Sequence, residues 1–388
     1  MEEIYQKNNM IFIQKFWLPA LTSQFPICPA PFHLDTYRGC MFNCRYCFAR
    51  DVTVFSRRHS NNKCFAYVEG NRPEKIKLWL DKTIRKTKYN YHRGEEIAIK
   101  ERIPLKIGAN ADPFPQIEER LKITYKTLKA FHKHDYPIQI QTKNPEILLG
   151  YVNSFENPNW AVSVTLITLD EKFCKICEPN APTPQERLSC IRQLTDKGIK
   201  VMVKIQPCIY PKILDDLPEL IKQIRDKGAW AFNTECLKIR KSMPLNEQRI
   251  LQIIGNYLNI NLRKFYKKED NLTSADYELS KEKKLEYIKL AEKLAKKYGL
   301  KYFVADNDDF GCIGSGCECC GTEVLRDYKI HGNNKRSLKF GKNTNVSDKI
   351  GNCYLNFCRG KAKTLTINDY MKKILDNEVK NNDTSSNS

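Results

Sequence analysis

No apolar run in this sequence approaches the roughly 20 residues that a membrane-spanning helix needs. The opening, "MEEIYQKNNMIFIQKFW", lacks the charged stretch followed by an apolar core that marks a secretory leader. These two absences predict a cytoplasmic protein with no membrane partner. In that reducing compartment a disulfide framework is not expected. Internal repeats are missing. Arg-rich or Lys-rich blocks with interleaved aromatics, the mark of a dedicated nucleic-acid segment, are nearly so; "LRKFYKKED" around Lys264 comes closest. One further absence is local. Cys40, Cys44 and Cys47 crowd into "YRGCMFNCRYCFAR", and no fourth cysteine stands beside them.

What is present suits a globular protein. The chain has 388 residues, enough for one large α/β domain with additions or for two smaller domains. It can bury a sizeable core without covalent staples. The formal charge of +20 makes nucleic acid a candidate partner. Lysine is spread along the chain with asparagine, however, as an AT-rich gene would also produce. Sixteen cysteines are many for a reducing compartment. Cys28, Cys64, Cys190, Cys208 and Cys236 stand alone and read as small buried hydrophobes. The clustered ones point to metal or catalysis.

Between about residues 100 and 240 short apolar runs alternate with amphipathic ones. "PLKIGANADP", "PIQIQTK", "WAVSVTLITLD", "KVMVKIQPCIY" and "AWAFNTECL" read as strands. "ERLKITYKTLKAFHKH", "PEILLGYVNSF", "TPQERLSCIRQLTDKG" and "LPELIKQIRDKG" read as helices, the third with a Thr cap and a Gly stop. "FHLDTYRG" reads as a first strand, with the three cysteines in the loop after it. Alternating strands and helices imply right-handed crossovers and a parallel sheet, either a barrel or an open sheet. The polar ends of these strands would then share the edge at which such folds bind ligands. Beyond residue 240 the pattern turns helical, with an apolar stripe in "LSKEKKLEYIKLAEKLAKKYGL" that suits core packing, then one more strand, "KYFVAD". The expected organisation is a segment over 1–30, a core over 31–240, a helical and Cys-rich extension over 241–375, and a disordered tail over 376–388.

Three thiolates suggest an iron–sulfur cluster. A purely electron-carrying [4Fe-4S] cluster takes four, so a C-x3-C-x2-C loop leaves one iron open to a small ligand. The amino and carboxylate groups of S-adenosylmethionine meet that requirement. Zinc is the competing reading, and it would need a distant fourth ligand.

"CMFNCRYC" resembles the signature of the radical SAM superfamily, with Tyr46 at the aromatic position that packs on adenine in that family. "ADPFPQIE", "QTK", "SVTLITLDE" and "EPNAPTPQERL" extend the resemblance over residues 30–230, to the subgroup that includes spore photoproduct lyase. The resemblance implies an α/β fold, a partial (βα)6 TIM-type barrel. It implies a lyase-like radical SAM enzyme that cleaves S-adenosylmethionine reductively to a 5′-deoxyadenosyl radical, fed by an external electron donor such as flavodoxin or ferredoxin. Lys143 and Ser163 match residues that hold the carboxylate of S-adenosylmethionine, while Asn110 and Asp112 would meet its ammonium or ribose. Two positions depart from the lyase. Its relay of a cysteine and a tyrosine falls here on Ala109, which has no thiol, and on Phe48, which has no O–H. A DNA repair lyase, or a basic nucleic-acid-binding protein with structural or redox-sensing clusters, is the alternative function.

A second cluster, Cys312, Cys317, Cys319 and Cys320, lies among glycines in "FGCIGSGCECCGTE". It is a candidate for an auxiliary iron–sulfur cluster or zinc, with Cys353 or Cys358 available as a replacement ligand. Cys174 and Cys177 form a C-x2-C pair without a partner pair and read as unligated.

Overall fold

The computed structural model describes residues 4–7, 10–21, 32–49, 67–87, 94–100, 102–240, 252–267, 276–306 and 319–326. Its centre is an eight-stranded sheet. Seven of the strands run parallel: β1 (Phe32–Leu34), β2 (Leu105–Ile107), β3 (Ile138–Thr142), β4 (Trp160–Thr165), β5 (Lys200–Cys208), β6 (Ala231–Cys236) and β7 (Lys301–Val304). They lie side by side in chain order, and Ala20–Leu21 adds a short antiparallel edge to β1.

Parallel neighbours require crossovers, and helices supply them. Helices α1 (Pro73–Arg85) and α2 (Gly94–Lys100) lie between β1 and β2. Helix α3 (Ile123–His132) precedes β3, and α4 (Pro145–Val152) follows it. Helices α5 (Glu171–Cys177) and α6 (Pro184–Asp196) link β4 to β5, α7 (Lys212–Asp226) links β5 to β6, and α8 (Lys281–Tyr298) leads into β7. This is the α/β, partial TIM-type barrel implied by the sequence, with seven parallel strands where six units were expected. The seventh is the "KYFVAD" strand from beyond residue 240, which pairs with Ala231–Thr234.

The strands divide their side chains by alternation. Ile138, Ile140, Val162, Val164, Val201 and Val203 face the helices and form the main core with them. Gln139, Gln141, Ser163, Lys204 and Asn233 take the opposite, inner face, where Met202, Ala231 and Phe303 make a small apolar group. Helix α6 begins with a complete capping box between Thr183 and Glu186, and the chain leaves it through Gly198 at φ +80°.

Two helices differ from expectation. The single helix read through "ERLKITYKTLKAFHKH" is a short turn, Glu118–Leu121, then α3, with Lys122 left-handed at φ +53° between them. The cause is Glu118. Its fully buried carboxylate accepts the N–H groups of Thr124 (3.0 Å) and Tyr125 (2.9 Å), capping α3 from the preceding turn. The same carboxylate accepts the hydroxyls of Tyr37 and Tyr151. Tyr37 lies three residues before Cys40, so the break in the helix anchors the start of the cysteine loop. Helix α7 starts at Lys212 rather than Leu217 and carries Pro218 inside it. Buried Ile213 and Leu217 hold the turn that the proline would otherwise weaken.

A small sheet of residues 4–7, 10–14, 67–70 and 37–38 flanks the cysteine loop. Cys190, Cys208 and Cys236 are buried, as read from the sequence. Among the described residues no helix is long and apolar enough to cross a membrane. Cys28, Cys64 and the tail over 376–388 lie outside the described residues.

Candidate functional site

The loop after β1 brings Cys40, Cys44 and Cys47 to the C-terminal edge of the sheet, where the loops after β2 and β3 meet it. Asp35, the first residue past β1, accepts from the Asn110 backbone N–H (3.0 Å) and from Asn110 Nδ2 (2.8 Å). Asp112 ties the β2 loop to β3. Its Oδ1 accepts from Thr142 Oγ1 (2.8 Å) and the Phe114 N–H (3.0 Å), and its Oδ2 from the Lys143 N–H (2.6 Å). Gly108 permits this approach. It sits at φ +89°, and a Cβ there would come within 2.3 Å of the Gln141 carbonyl oxygen.

The cysteine loop is laid along the segment that leaves α5. The Arg45 N–H donates to the Cys177 carbonyl (2.8 Å), and Arg45 Nε to that of Ile176 (2.7 Å). Asn180 donates from its backbone to Phe42 O (3.2 Å) and from Nδ2 to Met41 O (2.9 Å). At the centre of this clamp stands Glu178, with a fully buried side chain. Arg187, equally buried, donates to its Oε2 at 2.5 Å. Tyr46, between Cys44 and Cys47, donates its hydroxyl to Oε1. Lys143 Nζ lies 3.9 Å from the same oxygen and 5.6 Å from the Tyr46 ring centroid. Arg187 completes its bonding on the carbonyls of Pro182 (2.9 and 2.7 Å) and Thr165 (2.9 Å).

Burial sets the electrostatics of the thiols. It pushes Cys40 up to about 12, helped by the Asp112 charge and opposed by the N–H groups of Phe42 and Asp112 beside the sulfur. It raises Cys44 well above the ordinary thiol value, against the pull of the Lys143 ammonium. Burial would also raise Glu178, but the charges of Arg187 and Lys143 and the Tyr46 hydroxyl outweigh it and hold the carboxyl below its usual range. Lys143 is held above its usual range, because the Cys44 and Glu178 charges outweigh the effect of burial. The three thiols lie in one another's fields. Among the described residues, no three His, Cys, Asp or Glu side chains converge on one point as a single metal ion requires. A four-iron cluster takes each thiolate on a different iron, so it needs neighbouring thiols rather than convergent ones. Amide N–H groups beside Cys40 and an ammonium beside Cys44 suit sulfur that carries negative charge. The donor set fits the cluster.

Of the residues singled out from sequence, Tyr46, Asp112, Lys143 and the three cysteines come together, with Asn110 on the adjoining loop. Ser163 lies in β4 on the inner face, where its Oγ accepts from Gln139 Nε2 at 3.0 Å. Glu178 and Arg187 were not singled out, although both lie within "EPNAPTPQERL". The only sequence signal for them is an acid and a base flanking a capping box, a pattern that a solvated turn shares. Cys174 and Cys177 are buried in α5, and Cys174 Sγ lies 3.6 Å from Glu178 Oε2. Cys312, Cys317, Cys353 and Cys358 lie outside the described residues. Cys319 and Cys320 are described, with their sulfurs 3.9 Å apart.

The model of the Radical SAM superfamily matches residues 34–224. An uncharacterised protein of Mycobacterium tuberculosis is 26% identical over 220 residues, which cover 55% of this chain and 61% of that protein. An uncharacterised protein of Acidianus two-tailed virus is 29% identical over 160 residues, covering 38% of this chain and 48% of that one. The match thus spans about half to three fifths of these relatives' lengths. Among solved structures, a variant of spore photoproduct lyase superposes with a TM-score of 0.53 at 14% identity, over 76% of this chain and 81% of that one. A second variant, whose structure holds S-adenosylmethionine and a dinucleoside spore photoproduct, gives 0.51 at 15% identity, over 74% and 78%. At such identities the likeness is one of fold. The matched span, just under half of the chain, and the fold agree in making this chain similar to the radical SAM superfamily.

Proposed function

We propose that the chain holds a [4Fe-4S] cluster on Cys40, Cys44 and Cys47, binds S-adenosylmethionine beside it, and acts by abstracting hydrogen from a substrate. When bound, the cluster supplies the electron that cleaves S-adenosylmethionine to methionine and a 5′-deoxyadenosyl radical. A reduced flavodoxin or ferredoxin is the proposed source of that electron. The observation that carries this reading is the clamp, which sets Tyr46 and Lys143 against the cysteine loop through one buried carboxylate.

Each residue has a part. Lys143 lies at ion-pair rather than hydrogen-bond distance from Glu178, so its N–H groups suit the carboxylate of S-adenosylmethionine. Tyr46, held by its hydroxyl, offers its ring to adenine. Asp112 already accepts three hydrogen bonds, so its part is to hold Lys143 in place. Asn110 gives its amide N–H to Asp35 and keeps its side-chain oxygen for an ammonium or a ribose hydroxyl. Ser163 would donate to the same carboxylate as Lys143. A further cluster or zinc on Cys312, Cys317, Cys319 and Cys320 belongs to this proposal as its second metal site.

The reaction of spore photoproduct lyase is not carried over with the fold. Phe48 is 58% exposed and has no O–H, and Ala109 has no thiol. The charge of +20 keeps nucleic acid as a possible substrate class, tested by whether binding weakens steeply with salt.

Anaerobic reconstitution, counting of iron and sulfide per chain, and a search for 5′-deoxyadenosine with dithionite test the reading. An intact cluster that yields no 5′-deoxyadenosine would overturn it. The same iron count on a Cys319→Ser/Cys320→Ser variant tests the second metal site.

A further inference from the structure

Lys204 stands on the inner face of β5, in register with Thr165 of β4 and Asn233 of β6. Its Nζ donates to Gln141 Oε1 at 2.8 Å. Gln141 Nε2 donates to Gln139 Oε1 at 2.8 Å, and Gln139 Nε2 to Ser163 Oγ at 3.0 Å. The direction of this chain is forced. An ammonium has no acceptor, so Gln141 must turn its oxygen to Lys204 and its NH2 to Gln139. Gln139 then turns its own NH2 to Ser163, whose oxygen accepts. The Ser163 hydroxyl hydrogen is left to donate elsewhere, and so are two N–H bonds of Lys204. Both ends of the chain therefore offer donors.

The surroundings favour an incoming anion. Lys204 is half-buried, and burial lowers its ammonium from the ordinary lysine value. Among the described residues, the groups whose charge reaches it most are Cys320, Lys106, Cys319 and Glu235. Glu235, the carboxylate among them, is bonded to Lys238 at 2.7 Å. Asn233 gives its NH2 to the Cys319 carbonyl, and its buried Oδ1 has no hydrogen-bond partner among the described residues. A buried acceptor without a partner keeps its desolvation cost until a ligand supplies a donor.

We infer that the inner face at Lys204 is an oxyanion subsite. It takes a carboxylate or phosphate oxygen of the substrate on Lys204, and Asn233 Oδ1 accepts an adjacent O–H or N–H of the same molecule. The inference rests on the proposed function only in calling the occupant the substrate. Lys204 is then also the residue that makes Ser163 a donor.

The test uses the full chain with phosphate, acetate and chloride at matched ionic strength, reading the thermal unfolding midpoint. Phosphate or acetate should raise the midpoint above chloride, and which of the two does so identifies the oxyanion. At ten times its dissociation constant, the effective anion raises the ratio of folded to unfolded protein about 11-fold. Lys204→Met should abolish the anion-specific shift, with Lys204→Gln as the second variant if the first does not fold. Lys204→Arg, and Lys126→Met on the exposed face of α3, should keep it. No anion-specific shift in the wild type, or one that survives Lys204→Met or Lys204→Gln, overturns the inference. The readout needs no turnover, so it stands or falls separately from the search for 5′-deoxyadenosine.

Discussion

Removing the charge of Glu178 should cost more than any surface change on this protein. Glu178→Gln keeps the shape of the side chain and an oxygen for the Tyr46 hydroxyl. It strips the counter-charge from Arg187, whose side chain is fully buried. Breaking a buried pair from one side costs about 3–5 kcal/mol, because the remaining charge is left uncompensated. Arg187 retains its three bonds to the carbonyls of Pro182 and Thr165, so the lower end, about 3 kcal/mol, is expected. At roughly 2 °C per kcal/mol for a chain of this size, the midpoint of thermal unfolding should fall by about 6 °C.

Arg187→Met tests the pair from the other side. It should cost a similar amount, and the double variant should cost at least about 2 kcal/mol less than the sum of the singles. The pH dependence has a definite sign. Glu178 is held below its usual range in the folded protein, so its stabilisation is present above the unfolded value and is lost as pH falls through the folded one. Wild type should therefore hold this contribution at neutral pH and lose it only in acid below the ordinary glutamate range. Glu178→Gln should show a flatter acid limb. The measurement is urea and thermal unfolding of the apo chain across pH. Single variants that each cost under about 1 kcal/mol and simply add would refute the reasoning, since a buried, coupled pair cannot behave that way.

Replacing Cys40, Cys44 or Cys47 singly with Ala should remove the cluster's iron and sulfide, because an iron loses its anchor; retention of full iron by any one of them counts against the ligand set. Gly108→Ala should destabilise by about 2–4 kcal/mol in chemical denaturation, since a Cβ would meet Gln141 O at 2.3 Å on a left-handed backbone. A cost below about 1 kcal/mol would show that the two loops separate easily. Thr183→Ala should cost about 1 kcal/mol by the same assay, as loss of one N-cap bond in the capping box of α6.

What the sequence made legible was local. The C-x3-C-x2-C spacing specifies three neighbouring thiols whatever the rest of the chain does, and "TPQE" specifies a helix start from four residues. The alternation in "IQIQT" even separates an apolar face from a polar one, and β3 obeys it, with Ile138 and Ile140 in the core and Gln139 and Gln141 inside. Charge compensation, in contrast, is decided across distance. Nothing near Tyr46 says that its hydroxyl will end on a carboxylate 132 positions away, or that Arg187 will neutralise that carboxylate out of reach of water. The break at Lys122 is missed for the same reason. Helical spacing runs unbroken through it, and only the burial of Glu118 against Tyr37 makes a side-chain cap worth more than a continued turn. A loop of neighbouring thiols can thus be read from spacing, whereas the residues that hold its aromatic and the nearby lysine in place become visible only when the strands bring them together. The same holds on the inner face, where Lys204, Gln141, Gln139 and Ser163 come from three strands. Their donor direction follows from one ammonium that no local pattern distinguishes from the other lysines of the chain.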